Sequence, residues 1–210
     1  MGKSVHATTV KTLFLDLASN QGTLACVDDQ RTVAFHPIDH RVDDAALVPQ
    51  VESVLQKAGW SYQDLTQIAC VTGPGGFTSL RVAVALANAL AHELNILACG
   101  IHLSDVYELG IKNKELRAVW IHSTKKTAVF IRDLDSPDSE SRLVTLEELG
   151  SIIKKKMLWT GELIPEHRKI LDDAGAEEAP FKKLEEVLPE FLKKQKYKKK
   201  IIQPWYGRGW

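Results

Sequence analysis

Long hydrophobic runs are missing from this 210-residue chain. No apolar stretch approaches the roughly 20 residues that a membrane-spanning helix needs. Cysteine is scarce: Cys26, Cys70 and Cys99 each sit in an apolar, strand-like run without metal-ligand spacing. An odd number of buried thiols fits a reducing cytosol better than a disulfide framework. A surplus of one charge is absent too, since 27 Lys and Arg balance 27 Asp and Glu, and no global field points to nucleic acid or membrane. Residues 1–10 are polar and lack the apolar centre of a secretory signal, so the expectation is a cytoplasmic protein without a membrane partner. No Gly-x-Ser-x-Gly elbow occurs, which removes the usual exposed serine nucleophile of a strand-to-helix turn.

What is present is organised around Thr72-Gly73-Pro74-Gly75-Gly76-Phe77-Thr78-Ser79-Leu80-Arg81. The apolar run 67–72 before it reads as a buried strand. Residues 80–94 behind it contain no Gly or Pro and are rich in helix formers. A strand, a glycine turn and a helix N-terminus can hold an anion, or make a tight rigid joint, because glycine freely reaches positive φ. The turn is neither a Walker loop, which ends in Gly-Lys-Ser/Thr, nor a dinucleotide fingerprint, whose third glycine is replaced by Thr78. On the helix, Leu80, Ala83, Val84, Ala87, Leu90, Ala91 and Leu94 share one face, and Val82, Ala85, Leu86 and Ala89 make most of the remainder apolar. Such a helix is buried on two sides. The second cover is either a partner subunit or another part of the same domain.

In chain order, strands are expected at 12–18, 23–28 and 31–36, and a helix at 45–58 capped by Asp43-Asp44 and stopped by Gly59. The 67–72 strand, the long helix and a strand at 96–101 follow. This β-β-β-α-β-α-β order predicts a mixed sheet with helices on its faces. Residues 101–115 read as a join between two lobes, divided as 1–105 and 106–210. In the second lobe, 115–122 and 127–133 form a hairpin around Lys125-Lys126. Thr145-Leu146-Glu147-Glu148 is a capping box for a helix to about Lys156; 157–161 is a short strand and 183–196 a helix packing back on the first lobe. The run Lys193–Lys200 either touches RNA phosphates or, as the composition favours, is a solvated helix end.

Candidate chemistry is sparse. His36 and His40 flank Pro37 in an extended segment, which separates the imidazoles by roughly 13 Å at about 3.3 Å per residue, too far for one ion; no metal site is expected. Asp16 and Ser19, at the mouth of the first strand, either face a nucleotide or phosphate or form an Asx-type turn.

At the glycine turn, Gly73-Pro74-Gly75-Gly76-Phe77-Thr78-Ser79-Leu80-Arg81-Val82-Ala83 resembles the Gly-Pro-Gly-Ser-Phe-Thr-Gly-Leu-Arg-Ile-Gly signature of the bacterial TsaB (YeaZ) family. Asp16-x-x-Ser19, a helix preceded by His40, and the closing Gln203-Pro204-Trp205-Tyr206-Gly207-Arg208 agree with it. Gly76, Ser79 and Ala83 depart from the signature. The resemblance implies an actin-like, sugar-kinase-like (ribonuclease H-like) α/β fold of two lobes with mixed sheets, the second lobe reduced. It implies a role in placing threonylcarbamoyl on the adenosine beside the anticodon of tRNAs that read codons starting with A. In that system the paralogue TsaD is the transferase, TsaB binds and activates it, and TsaE joins them; tRNA is then met indirectly. TsaD-like chains carry His-x-x-x-His where this chain has His102-Leu103-Ser104-Asp105-Val106, and valine cannot ligate a metal. The resemblance therefore implies no catalytic residues and no cofactor of its own, with ATP or ADP at the complex interface. The family pairing buries the two first-lobe helices, so Leu47, Val51, Leu80, Val84, Ala87 and Ala91 are expected to supply or support the partner interface, also in a homodimer. The turn Gly73, Pro74, Gly75, Gly76, Phe77, Thr78 and Arg81 would position the helix. The alternatives are a small ATPase or kinase acting alone through Asp16 and the glycine turn, and a peptidase.

Overall fold

A computed structural model describes residues 9–38, 44–111, 118–136 and 138–207. The first sheet contains β1 (Lys11–Asp16), β2 (Gly22–Asp28), β3 (Thr32–Ile38), β4 (Gln67–Gly73) and β5 (Leu97–His102), in the order β3-β2-β1-β4-β5. β1, β2 and β3 pair antiparallel through short turns, while β1, β4 and β5 run parallel. The parallel steps are made by crossover helices: α1 (Asp44–Ala58) leads to β4, and α2 (Phe77–Glu93) joins β4 to β5.

The strands are apolar almost throughout because both faces are covered. Leu13, Leu15, Leu24, Cys26, Ile68 and Cys70 meet Leu47, Val51 and Val54 of α1 and Ala83, Val84 and Ala87 of α2. The alternate residues Phe14, Ala25, Val27, Ala69 and Val71 meet the opposite layer, built from α3 (Leu103–Gly110) and α6 (Leu184–Lys193). Burying a large apolar side chain contributes about 1.5–3 kcal/mol, so this two-faced packing is a main source of the lobe's stability.

The second sheet, in the order β10-β9-β6-β7-β8, contains β6 (Ala118–Lys125), β7 (Ala128–Asp133), β8 (Arg142–Thr145), β9 (Leu158–Glu162) and β10 (Glu177–Glu178). One face carries α4 (Leu146–Ile152) and α5 (Pro165–Asp173) over Val119, Ile121, Val129 and Trp159. From the other face, Trp120 and Phe130 enter the core of the first lobe. The lobes therefore share apolar packing.

Several elements differ from the sequence expectations. The join at 101–115 contains α3, so a division after residue 105 falls within a helix. This helix is only two turns long and its N-cap is His102, whose Nδ1 accepts from Ser104 N–H, a cap with little sequence signature. α2 begins at Phe77 rather than Leu80, with Gly76 as N-cap. The capping box at Thr145 and Glu148 is formed, but α4 stops at Ile152, and Lys156 has φ +64°, outside any helix. α5 and β8 had no counterpart in the reading, and α6 ends at Lys193 rather than Lys196. His40 and Asp43, and residues 115–117 of the expected strand, lie outside the described residues, as does Arg208.

The C-terminal segment returns across the first lobe. Lys198 exchanges two main-chain hydrogen bonds with Ala98 at the outer edge of β5, 2.9 and 3.0 Å long. Asn88 of α2 holds the main chain of Ile202, donating to its carbonyl (2.9 Å) and accepting from its N–H (3.0 Å). Trp205 N–H then donates to the Thr72 carbonyl.

Candidate interlobe site and helix surface

The glycine turn is where three chain segments meet. A Cβ on Gly73, which has φ +136°, would stand 2.3 Å from the Trp205 carbonyl oxygen. One on Gly75 would stand 2.7 Å from both Cα and O of Ala18. These two glycines allow backbone to approach backbone, so the turn is a joint. Pro74 is buried beside them. Gly76, by contrast, has open space beyond Ser79. Phe77 is 54% exposed and packs on Tyr206, with the Arg81 guanidinium 4.5 Å over its ring.

Between the lobes lies a cleft of about 530 Å³. The first lobe contributes Ser19, Asn20, Gly76, Thr78 and Ser79; the second contributes the end of β6 from His122, Lys126 of the turn after it, and the start of α5. Asp16 does not face it. Its buried carboxylate accepts from the N–H groups of Ala18 (2.9 Å) and Ser19 (3.1 Å) and from the Ser19 hydroxyl. That is the Asx-type arrangement. Burial pushes the Asp16 carboxyl above its ordinary range, against the lowering effect of these hydrogen bonds.

The next two N–H groups of the same turn are taken by Glu162, which reaches over from β9. Asn20 N–H donates to it at 2.7 Å and Gln21 N–H at 3.4 Å. Four consecutive main-chain donors, from residue 18 to residue 21, are thus satisfied by two carboxylates of the chain itself. The Tyr107 hydroxyl of α3 joins Glu162 and Ser19, and burial is the main reason that both Tyr107 and Glu162 titrate higher than usual. Sequence reading missed Glu162 and Tyr107 because nothing local marks a strand-end acid or a helical tyrosine as partners of a turn far away in the chain, 142 residues from Asn20 in the case of Glu162.

Two histidines underlie the cleft. His122 is 2% exposed, stacks on Trp120 and has Nδ1 3.7 Å from Glu162, beyond hydrogen-bond length. Burial, reinforced by His102, holds its pKa down at about 4. Burial likewise holds His102 at about 4. His102 is committed to capping α3, and Val106, the position four residues on, is a buried core side chain. Arg132 of β7 clamps this region, reaching Ser104 at 2.7 Å and the carboxylate of Asp105. At the cleft wall His167 Nε2 donates to the Lys126 carbonyl at 2.9 Å, and Nδ1 is hydrogen-bonded with the Ser123 hydroxyl at 2.8 Å. Ile164 N–H also donates to that hydroxyl, so the pair pins α5 to β6.

Among the described residues no group of three or more His, Cys, Asp or Glu could hold a metal ion. The cysteines are free and buried, with the Cys26 thiol pushed up to about 12 by desolvation. Among the described residues no helix is long and apolar enough to cross a membrane.

The expected interface residues divide by position. Leu47, Val51, Leu80, Val84 and Ala87 are buried in this chain's own core, and Ala91 is half-buried against it. They support the helices from beneath. The surface of α2 itself is drawn by Arg81, Ala85 and Ala89, which are exposed, with Val82 and Leu86 half-buried between them; Val48 of α1 is 43% exposed.

Residues 40–135 match the family model described as TsaD, tRNA N6-adenosine threonylcarbamoyltransferase. The chain is 28% identical over 92 residues to the tRNA threonylcarbamoyladenosine biosynthesis protein TsaB of Escherichia coli (strain K12), covering 44% of this chain and 40% of that protein. It is 41% identical over 49 residues to the protein of the same name from Bacillus subtilis (strain 168), covering 23% of this chain and 21% of that one. The matched segments thus span less than half the length of either curated relative. In fold, the chain is similar to the crystal structure of "an uncharacterized protein with similarity to peptidase YEAZ" from Pseudomonas aeruginosa, with TM-score 0.71, 16% identity and coverage of 95% of this chain and 100% of that one. That architecture is the two-lobed α/β arrangement implied by the glycine-turn motif. By these sequence segments the chain is similar to TsaB and to the TsaD model, and by its fold to a YeaZ-like structure.

Proposed function

We propose that this chain is an accessory subunit in the biosynthesis of threonylcarbamoyladenosine on tRNA, acting by pairing with a TsaD-like transferase rather than by performing transfer itself. The observation that carries this reading is the occupied turn at residues 18–21. In an ATP-hydrolysing protein of this architecture, main-chain donors beside the cleft would be free to receive phosphate oxygens. Here Asp16 and Glu162 take them, and their negative charge opposes a phosphate. This counts against the reading as a small ATPase or kinase acting alone. The Ser123–His167 pair gives little to the peptidase reading, since the serine hydroxyl is held in the wall by two hydrogen bonds.

The pairing surface is the outer face of α2 with the adjoining part of α1. Ala85 and Ala89 present small side chains four residues apart, which lets a second helix approach closely, and Val82, Leu86 and Val48 supply apolar contact. Its boundary at Arg81 and Phe77 is set by the glycine joint. A second copy of the chain would bury the same face in an isologous pair and compete with the transferase subunit. Any ATP or ADP belongs to the assembled complex, where a TsaE-like ATPase joins.

The test is co-purification with a TsaD-like protein of the same cell, read by light scattering, with ATP turnover measured for each protein and for the pair. A one-to-one complex lost in Ala85→Glu, with turnover only in the pair, is the expected result. Steady turnover by this chain alone, or a complex indifferent to Ala85→Glu and Ala89→Glu, would sink the proposal.

A further inference from the structure

The lysine-rich segment after α6 is not a helix end. α6 stops at Lys193, and Lys198 is bonded on both sides of its peptide to Ala98 on β5. Four residues later Ile202 is fixed by both ends of the Asn88 amide. The lysines between these anchors therefore project from backbone held at the edge of a sheet. Lys193, Lys196, Lys198, Lys199 and Lys200 are all exposed. Lys194 is paired with Glu190, and Lys199 donates to the Asn95 side chain. Lys196, Lys198 and Lys200 form no ion pair among the described residues.

Beside the anchored segment is a shallow hollow of about 190 Å³. Lys198, Lys199 and Lys200 line one side, His92 and Asn95 from the end of α2 the other, and Ile201, 74% exposed, its rim. Among the described residues no carboxylate lines it. In a chain whose formal charge sums to zero, this is a local concentration of cations and hydrogen-bonding side chains. Its complement is a polyanion, and the row of exposed lysines from Lys196 to Lys200 offers cations to neighbouring backbone phosphates.

We propose that the anchored segment Lys196–Lys200, with His92 and Asn95, is a contact surface for the sugar–phosphate backbone of RNA. The proposal rests on the tRNA role inferred above and makes that contact direct, on the edge of β5, separate from the helix face that meets the transferase subunit. Contacts of this kind position an RNA without reading its sequence. The competing explanation is that the lysines merely guard a sheet edge against pairing with another chain.

The experiment measures binding of fluorescently labelled, unmodified tRNA to the full chain by anisotropy, across roughly 50–200 mM salt. The test variant is Lys198→Gln with Lys200→Gln, which leaves the main-chain bonds to Ala98 intact. Wild type should bind with an affinity that falls steeply with salt. The variant should bind at least several-fold more weakly, with a log–log salt slope shallower by about 1.4–1.8, the loss of two phosphate contacts at about 0.7–0.9 each. A second readout uses wild type alone: tRNA should shield Lys198 and Lys200 from an amine-acylating reagent while leaving the exposed Lys154 and Lys169 as reactive as before. Absence of tRNA binding by wild type, an unchanged slope, or a variant that self-associates while holding tRNA undiminished would each overturn the proposal. Pairing with the TsaD-like protein is scored separately by light scattering. Failure there with an intact lysine-dependent salt slope would remove the accessory-subunit role and leave the RNA surface standing.

Discussion

His122 gives the most quantitative handle on how the lobes are joined. Its imidazole is enclosed between Trp120 and the Glu162 side of the cleft, and its pKa is held at about 4 against an ordinary 6.5. The folded state binds this proton more weakly than the unfolded chain does. Stability from keeping His122 neutral is therefore complete above about pH 6.5 and is lost as pH falls through the window to about 4. At about 1.4 kcal/mol per pKa unit the loss is about 3 kcal/mol. Asp16 and Glu162 act in the opposite sense, because burial raises both, and their protonation on acidification favours the folded state. Total stability against pH would mix these effects, so the informative quantity is the difference between wild type and His122→Gln, which shares the carboxylates but cannot titrate. Urea unfolding at a series of pH values should show the wild type's advantage over the variant shrinking by about 3 kcal/mol between roughly pH 7 and pH 4. A difference that stays constant across that window would refute the assignment of a buried, neutral imidazole.

Other outcomes follow from single contacts. Gly75→Ala should cost about 1–3 kcal/mol or more, because its Cβ meets Ala18 backbone at 2.7 Å; Gly76→Ala, with open space around it, should cost about 1 kcal/mol or less, and equal losses in denaturant melts would contradict the joint. Asn88→Ala removes both hydrogen bonds to Ile202 and should cost about 1–3 kcal/mol while speeding tryptic cleavage in 196–200; an unchanged cleavage rate would mean that the segment is held elsewhere. Glu162→Ala frees Asn20 N–H and Gln21 N–H and removes the charge, so inorganic phosphate should become a detectable ligand by calorimetry, whereas wild type should show none. Phosphate binding equal in the two proteins would show that the turn is not what Glu162 blocks.

The order of elements in the first lobe was legible because each strand is a short apolar run closed by turn formers, and the α2 pattern is long and strongly periodic. The second lobe was less so. α3 and α5 are short, and α5 is amphipathic only through residues such as His167 and Leu171 that look ordinary in sequence. The glycine turn was recognisable as special, yet sequence left open whether it cradles an anion or closes a joint. The positions of Ala18 and the Trp205 carbonyl decided that, and they come from residues about 60 and 130 positions away.

The apolar character of α2 was equally visible, and equally ambiguous. Helical spacing groups Leu80, Val84 and Ala87 on one side, but only docking onto Leu13, Phe14 and Ile68 shows that this side is internal and that Ala85 and Ala89 face outward. The sequence by itself determined the local elements, the motif and the balance of charge, because these depend on residues close together in the chain. Tertiary structure alone decided that Glu162 occupies the turn of β1, that His122 is enclosed, and that the chain after α6 is pinned to the edge of β5 at Lys198. Each of those depends on contacts between lobes, where burial and hydrogen-bond satisfaction, rather than local propensity, set the outcome.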